Sequence, residues 1–252
     1  MNYSQKVELV IIQDQGREKL LRDVNNFSDK TKFIHIPVSP KEVKCFSDEI
    51  NIYKMLNIPE DKKIIVYSGT MQGWSGVREL INLIPDNWNC EYWLVIHSHH
   101  KLKDEDELEN KLRQLMNSGE QISFHNEPFY DFIEYAEFLS KCYAGIATYF
   151  PNTVDIFAGK NLQVIGLSSG KFSTYMMLGI PTITTANYIY KELNKEYNFG
   201  EIINTMSDIP LALSKIKSDY TKKSIGCKSL YENVLNPESK INNLINEIGK
   251  LY

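Results

Sequence analysis

Apolar positions along this chain fall into short uninterrupted runs separated by stretches with helical spacing. Residues 7–12 are mostly apolar, residues 17–24 place leucines and a valine at helical intervals, and residues 32–38 alternate, with Pro37 and Pro40 closing the run. They read as strand, helix, strand, roughly one and a half βα units, too little to enclose a core. Residues 39–62 read as a connector with one short helix around 47–56. From residue 63 a regular alternation begins. Residues 63–67 (KIIVY) form a β-branched buried strand, 76–83 a helix, and 93–97 (WLVIH) a second buried strand. A charged helix over 104–117 carries Leu108, Leu112 and Leu115 on one face. A third strand follows at 121–124, a helix at 131–141, a fourth strand at 144–149 and a long loop at 150–169. The chain then gives a helix at 170–178, a strand at 182–184, a helix at 189–195, a strand at 201–204, and helices through most of 207–251.

Strands that are apolar throughout and spaced by helices imply a parallel sheet covered on both faces. The expected class is therefore α/β, a doubly wound, Rossmann-like sheet. In such a sheet ligands bind beyond the carboxyl ends of the strands, where the strand order reverses. With the common order, that point lies between the strands at 63–67 and 144–149.

Composition narrows the function. The chain has 252 residues, 42% hydrophobic and 24% charged, with a formal net charge of -4. No basic stripe follows any element, which argues against a nucleic-acid partner. Cys45, Cys90, Cys142 and Cys227 lie far apart and form no CxxC pair, as expected of free thiols in a reducing cytosol. The first residues have no signal-peptide pattern, and no apolar run reaches the roughly 18 residues of a membrane span. The expected location is cytoplasmic, compatible with peripheral contact at the inner face of the membrane.

Two segments carry candidate chemistry. The first expected strand runs into Ser68, Gly69, Thr70, Met71, Gln72, Gly73, Trp74, Ser75 and Gly76. Its glycines permit tight turns and close approach of backbone to a ligand, although such glycines also occur in turns that bind nothing. The second segment is Ser168, Ser169, Gly170 and Lys171, ahead of a helical run with Phe172, Tyr175 and Met176 on one face; Gly179 and Pro181 end it. A serine cap followed by glycine leaves backbone N–H groups free to hold an anion. A lysine in the first turn opposes the helix dipole unless an anion is present. The plainer alternative is a capped helix with a solvated lysine.

Other groups weigh less. His97, Ser98, His99 and His100 form a histidine-rich strand end, but no nearby cysteine or carboxylate completes a metal set, and no metal is expected. His125 and Asn126 follow the third strand and read as satisfied loop residues near the crevice. Residues 104–109 read as a solvated charged face, and Asp14 and Arg17 as a structural helix start. No Ser/His/Asp or Cys/His arrangement suggests a nucleophile.

Residues 161–183, NLQVIGLSSGKFSTYMMLGIPTI, resemble the donor-site segment of GT-B glycosyltransferases, especially bacterial surface-polysaccharide enzymes of the family 4 type, in which GxSSGKxxxYLxxGxPVI is usual. IIVYSGTMQGWSGVRELI is similar to their first donor-domain loop, WLVIHSHH to their second strand and AGIATYFP to their fourth. VIIQDQGREKLLRDV with FIHIPVSP is similar to the last βα unit of their first domain plus the linker. The resemblance covers nearly the whole chain in order. It implies that residues 1–40 are the end of a preceding acceptor-side domain with its linker. Residues 41–235 would be a nucleotide-sugar-binding domain and 236–252 a C-terminal helix.

The implied substrate is a nucleoside diphosphate sugar, with no metal or other cofactor, and the implied acceptor is a glycan or a lipid-linked chain. By position, Gly69 and Gly73 would pack on the diphosphate, Ser169, Gly170 and Lys171 would hold phosphate oxygens, and His97 and Ser98 would lie near the base. Ser68, Thr70, Gln72, Ser168 and Thr174 complete the implied donor-binding set; no catalytic residue is implied. Many retaining members carry two glutamates eight positions apart, where this chain has Gly166 and Thr174. They often place arginine and lysine in the first loop, where this chain has Thr70 and Ser75, which leaves Lys171 to face the diphosphate. Alternatives are a nucleotide-sugar-binding module without chemistry, a split subunit needing a partner chain, and a flavodoxin-like domain unrelated to sugars. The linker-like residues 1–40 disfavour the last.

Overall fold

A computed structural model of the chain describes residues 3–47, 49–99, 107–152 and 159–250. After a single 3-10 turn, Leu9–Ile12 forms β1, Gln15–Val24 α1 and Lys32–His35 β2. β1 and β2 pair in parallel as a two-stranded sheet. A connector with the short helix α2 (Ile52–Met55) leads to the main body. There the order is β3 (Lys63–Ser68), α3 (Val77–Asn82), α4 (Ile84–Asn87), β4 (Tyr92–His97), α5 (Glu107–Asn117) and β5 (Ile122–His125). It continues with α6 (Phe132–Ser140), β6 (Ala144–Ala147), α7 (Lys160–Gln163), α8 (Gly170–Leu178), β7 (Thr182–Thr185), α9 (Tyr188–Tyr197) and β8 (Gly200–Ile203). Helices α10 (Ile209–Ser218), α11 (Tyr220–Leu230) and α12 (Pro237–Gly249) close the chain, with a π-helical turn, Tyr231–Leu235, before α12.

The main sheet has six strands in the order β5-β4-β3-β6-β7-β8, all pairs parallel. Successive residues of a strand face opposite sides, so a strand covered on both sides must be apolar throughout. β3 shows this directly. Ile64 and Val66 enter a core layer with Phe138, Tyr175 and Leu230 from α6, α8 and α11. Ile65 and Tyr67 enter the opposite layer with Leu80, Leu112 and Leu213 from α3, α5 and α10. Each such side chain, fully withdrawn from water, contributes about 1.5–3 kcal/mol.

Helix ends follow their local chemistry. Asp131 caps α6 by accepting the Ile133 and Glu134 N–H groups, and Asn187 caps α9 through the Tyr190 N–H. Asn198 ends α9 in the left-handed region.

Several sequence expectations shift. The helix expected over 76–83 is α3, followed at once by the separate turn α4. The long loop holds α7 and a 3-10 turn, Gly166–Ser168, with residues 153–158 outside the described residues. The expected charged helix begins, within the described residues, at Glu107, and 104–106 lie outside them. β6 is shorter than the expected 144–149. Thr148 donates its hydroxyl to the Ser75 carbonyl at 2.7 Å, and the Tyr149 N–H goes to Thr185 Oγ1 at 2.9 Å, which draws the chain out of the sheet.

The N-terminal βαβ unit does not stand alone. Val38 N–H donates to the Leu167 carbonyl at 2.9 Å, Tyr231 hydroxyl to the Pro40 carbonyl at 2.9 Å, and Lys32 pairs with Glu247 of α12 at 2.8 Å. The connector is pinned by Glu137 of α6, which is 1% exposed and accepts Ser47 N–H, Ser47 hydroxyl and Ile50 N–H. Among the described residues, no helix is long and apolar enough to cross a membrane.

Candidate functional site

β3 and β6 are neighbours whose flanking crossovers run in opposite directions, which makes the gap beyond their carboxyl ends the switch point of this sheet. The chain segments leaving them are tied together. Phe150 N–H donates to the Trp74 carbonyl at 2.7 Å, and the Trp74 and Tyr149 rings stack with centroids 5.9 Å apart. These segments form one wall of a cleft of about 570 Å³, within the range of small-molecule sites.

The second wall is the start of α8. Ser169 caps the helix by accepting the Phe172 N–H at 3.2 Å, and its hydroxyl is bonded to that of Tyr149. Lys171 sits in the first turn. Its Nζ is sealed from solvent, has no hydrogen-bond partner among the described residues, and lies 4.1 Å from the Tyr67 ring centroid and 5.1 Å from that of Tyr149. Gly69, at φ 143, lets the ammonium come close: a Cβ there would lie 3.2 Å from Nζ. Burial without a counter-charge lowers the Lys171 pKa from 10.5 to about 7.

The third wall is aromatic. Ser68 Oγ bonds to His97 Nδ1 and to the Tyr135 hydroxyl, both at 2.8 Å. The Phe129 ring packs 5.0 Å from His97 and stacks 5.2 Å from His125. Burial, then the neighbouring imidazoles of His125 and His99, lowers the His97 pKa to about 4, against the Glu127 backbone carbonyl, which favours the charged form. His97 Nε2 makes no hydrogen bond of normal geometry. Burial also lowers the pKa of His125.

Of the residues singled out from sequence, Ser68, Gly69, Thr70, His97, Ser168, Ser169, Gly170 and Lys171 line this cleft. Gln72, Gly73, Ser98 and Thr174 do not. Gln72 and Gly73 are exposed on the outside of the loop, because Ser75 folds back to bond the Gln72 carbonyl through both its N–H and its hydroxyl. Ser98 is fully buried behind the strand end. Thr174 turns its hydroxyl along its own helix, to the Gly170 carbonyl at 2.9 Å. Missed from sequence were Phe129, Phe132 and Tyr135; Trp74 and Tyr149 lie in the two strand-end segments expected at the crevice, without an assigned role. The available signal was the aromatic cluster around Pro128 at the carboxyl end of β5, the same end of the sheet as the glycine loop.

His97 and His99 have ring centroids 6.5 Å apart, and His100 lies outside the described residues. Among the described residues, no group of three or more His, Cys, Asp or Glu side chains is arranged to hold a metal. A second groove, about 650 Å³, runs between α1 and the start of α9. Of the charged side chains lining it, Glu18 and Arg22 pair with each other. The smaller cleft, with its unpaired buried ammonium, is the better candidate.

No family model and no curated protein matches the sequence. Solved structures do match in shape. The sucrose-phosphate synthase of Thermosynechococcus elongatus aligns with a TM-score of 0.67 and 16% identity over 99% of this chain. Anabaena HepE, solved in complex with UDP and glucose, aligns with a TM-score of 0.70 and 12% identity, again over 99%. The C-terminal domain of a group 1 glycosyl transferase, LpcC of Francisella tularensis, aligns over 74% of this chain and 92% of its own, at a TM-score of 0.50 and 14% identity. The fold is that of a GT-B C-terminal domain. The chain spans 60% of the length of the synthase and 65% of HepE. In the GT-B frame, the cleft described above lies at the carboxyl ends of the C-terminal sheet.

Proposed function

We propose that this chain carries the donor-binding half of a sugar-transfer site, taking a nucleoside diphosphate sugar whose glycosyl group goes to a glycan or lipid-linked acceptor in surface-polysaccharide synthesis. The observation that carries this reading is Lys171: a sealed ammonium with no anionic partner among the described residues, at the N-terminus of a capped helix, at the switch point of a parallel sheet. An anion entering the turn favours the charged form that burial disfavours. Free N–H groups of the first turn and the lysine charge together offset the negative charge that builds on a leaving diphosphate, without a metal. Ser169 and Gly170 shape that turn, while the rings of His97, Phe129 and Tyr135, tilted against one another beside Ser68, offer an aromatic wall suited to a base. UDP is the first candidate, because HepE was solved with it.

Calorimetry with UDP, GDP, ADP, CDP and dTDP tests the reading. At least one is expected to bind at roughly micromolar to millimolar Kd, since the chain supplies one side of the cleft. A folded sample that binds none of them overturns it. The 252 residues alone are expected to transfer no sugar, because an acceptor must be held against the donor carbon from the other side.

A second reading, a binding module or split subunit without its own chemistry, is favoured by one feature. Gly166 and Thr174 stand where the resembling enzymes carry glutamates, and the Thr174 hydroxyl is already committed to Gly170. Transfer on supplying an acceptor-side domain distinguishes the two.

A further inference from the structure

The turn that presents Lys171 is held by a residue from the far end of the chain. Asp14, 4% exposed, follows β1. Its Oδ1 accepts the Arg17 N–H at 3.0 Å and so caps α1. Its Oδ2 accepts the Leu167 N–H at 2.9 Å, across 153 positions of sequence. Leu167 is the middle of the 3-10 turn Gly166–Ser168, which runs directly into Ser169, Gly170 and Lys171.

Other bonds converge on the same turn. Leu167 carbonyl accepts the Val38 N–H at 2.9 Å, and Gly166 carbonyl accepts the Tyr190 hydroxyl at 2.9 Å. Gly166 itself lies at φ +39, and a Cβ built there would collide with the Asp14 carboxylate. Position 166 is thus a glycine for two reasons: the backbone is left-handed, and the volume of its side chain is taken by Asp14. The bond to Leu167 is not needed to cap α1, since Oδ1 alone does that. Its effect falls on the arm two residues ahead of the Ser169 cap.

We propose that Asp14 is a positioning residue for the phosphate-binding turn: through Leu167 it fixes the arm that sets Ser169 and Lys171, so that the cleft is correctly formed only while the β1-α1-β2 unit is docked. This rests on the reading of that turn as a nucleoside diphosphate site. A displacement of a few tenths of an ångström there alters how the free N–H groups and Nζ converge on one anion.

The test uses the full chain, UDP as probe, and variants that separate the two halves of the Asp14 contact. Asp14→Ser keeps an acceptor for the Arg17 N–H, because serine is a good cap, but is too short to reach Leu167. Asp14→Asn keeps the length but offers one acceptor oxygen in place of two. Lys223→Met serves as a stability control. That lysine is buried on the β8–α11 side, bonded to Glu201, Asn198 and the Gly200 carbonyl, and is not among the residues lining the cleft. At a temperature where all samples are folded by circular dichroism, both Asp14 variants are expected to lose about tenfold or more in UDP affinity. Their amide exchange should quicken over residues 167–172. Lys223→Met should melt lower yet bind UDP as the wild type does. Wild-type UDP affinity in Asp14→Ser overturns the proposal, as does an equal loss in Lys223→Met, which would mean that affinity only follows stability. A wild-type protein that binds no nucleoside diphosphate overturns the reading of the site itself, and the role of Asp14 with it.

Discussion

Replacing Lys171 by methionine removes the charge and keeps most of the stem. In the wild type, Nζ lies over the faces of Tyr67 and Tyr149, with no hydrogen-bond partner among the described residues. Burial brings its pKa from 10.5 to about 7. At about 1.4 kcal/mol for each tenfold change in proton affinity, this bounds the cost of the buried ammonium near 5 kcal/mol. Relaxation and water entry reduce the cost, and two ring faces offset about 1–2 kcal/mol of it. The methionine variant should therefore be more stable than the wild type at pH 7, by on the order of 1–3 kcal/mol. Between pH 7 and 10.5 the unfolded chain holds this proton and the folded chain does not, so wild-type stability rises with pH across that window. The advantage of the variant should shrink over the same range.

Ligand binding reverses the balance. An anion at the turn returns the proton to Lys171, and at pH 8 a nucleoside diphosphate is already fully ionised. Wild-type binding at pH 8 should then draw about one proton from the buffer, read as a difference in calorimetric heat between two buffers of unlike ionisation enthalpy. Lys171→Met should show no uptake at this site and should lose about 1.5–3 kcal/mol of binding. A variant that is less stable, binds UDP equally well, or leaves the proton uptake unchanged would show that Lys171 is not a sealed, unpartnered group facing the ligand.

Three further outcomes follow from the same geometry. His97 should show no imidazole titration by NMR between pH 5.5 and 8. It is held neutral in the fold with a pKa of about 4, so stability should fall as pH drops from 6.5 towards 4; a midpoint near 6.5 would show that it is not buried as described. Ser169→Ala should cost about 1–2 kcal/mol in urea unfolding, since it removes the cap of α8 and leaves the Tyr149 hydroxyl without its partner. Glu201→Gln should cost about 2–4 kcal/mol by leaving the buried Lys223 ammonium without its carboxylate, with UDP affinity unchanged; weaker binding would mean that β8 is coupled to the cleft.

The parts of this protein that could be read from sequence are those whose cause is local. β3 and β4 announce themselves as KIIVY and WLVIH because a strand buried on both faces has no polar position to spare. The start of α8 is legible because a cap, a glycine and a lysine must sit within four residues of one another to hold an anion. Where the cause is remote, the sequence is silent or misleading. Thr174 falls at a suggestive spacing, yet a threonine inside a helix finds the carbonyl four residues back before it finds a ligand. Gln72 and Gly73 share a loop with Gly69, but Ser75 folds back onto the Gln72 carbonyl and leaves that stretch exposed on the outside. From sequence, a solvated Lys171 is the plainer alternative to an anion-binding one. Only the rings of Tyr67 and Tyr149, contributed by two different strand ends, show that its ammonium is sealed. The Asp14–Leu167 bond is the extreme case, for it joins 153 positions and no periodicity points to it. Its one trace is a negative one, a glycine at 166 where a resembling sequence has a long side chain. A missing side chain in an otherwise familiar motif therefore has a physical use: it marks volume that another segment fills, and the residue that fills it is where function should be sought next.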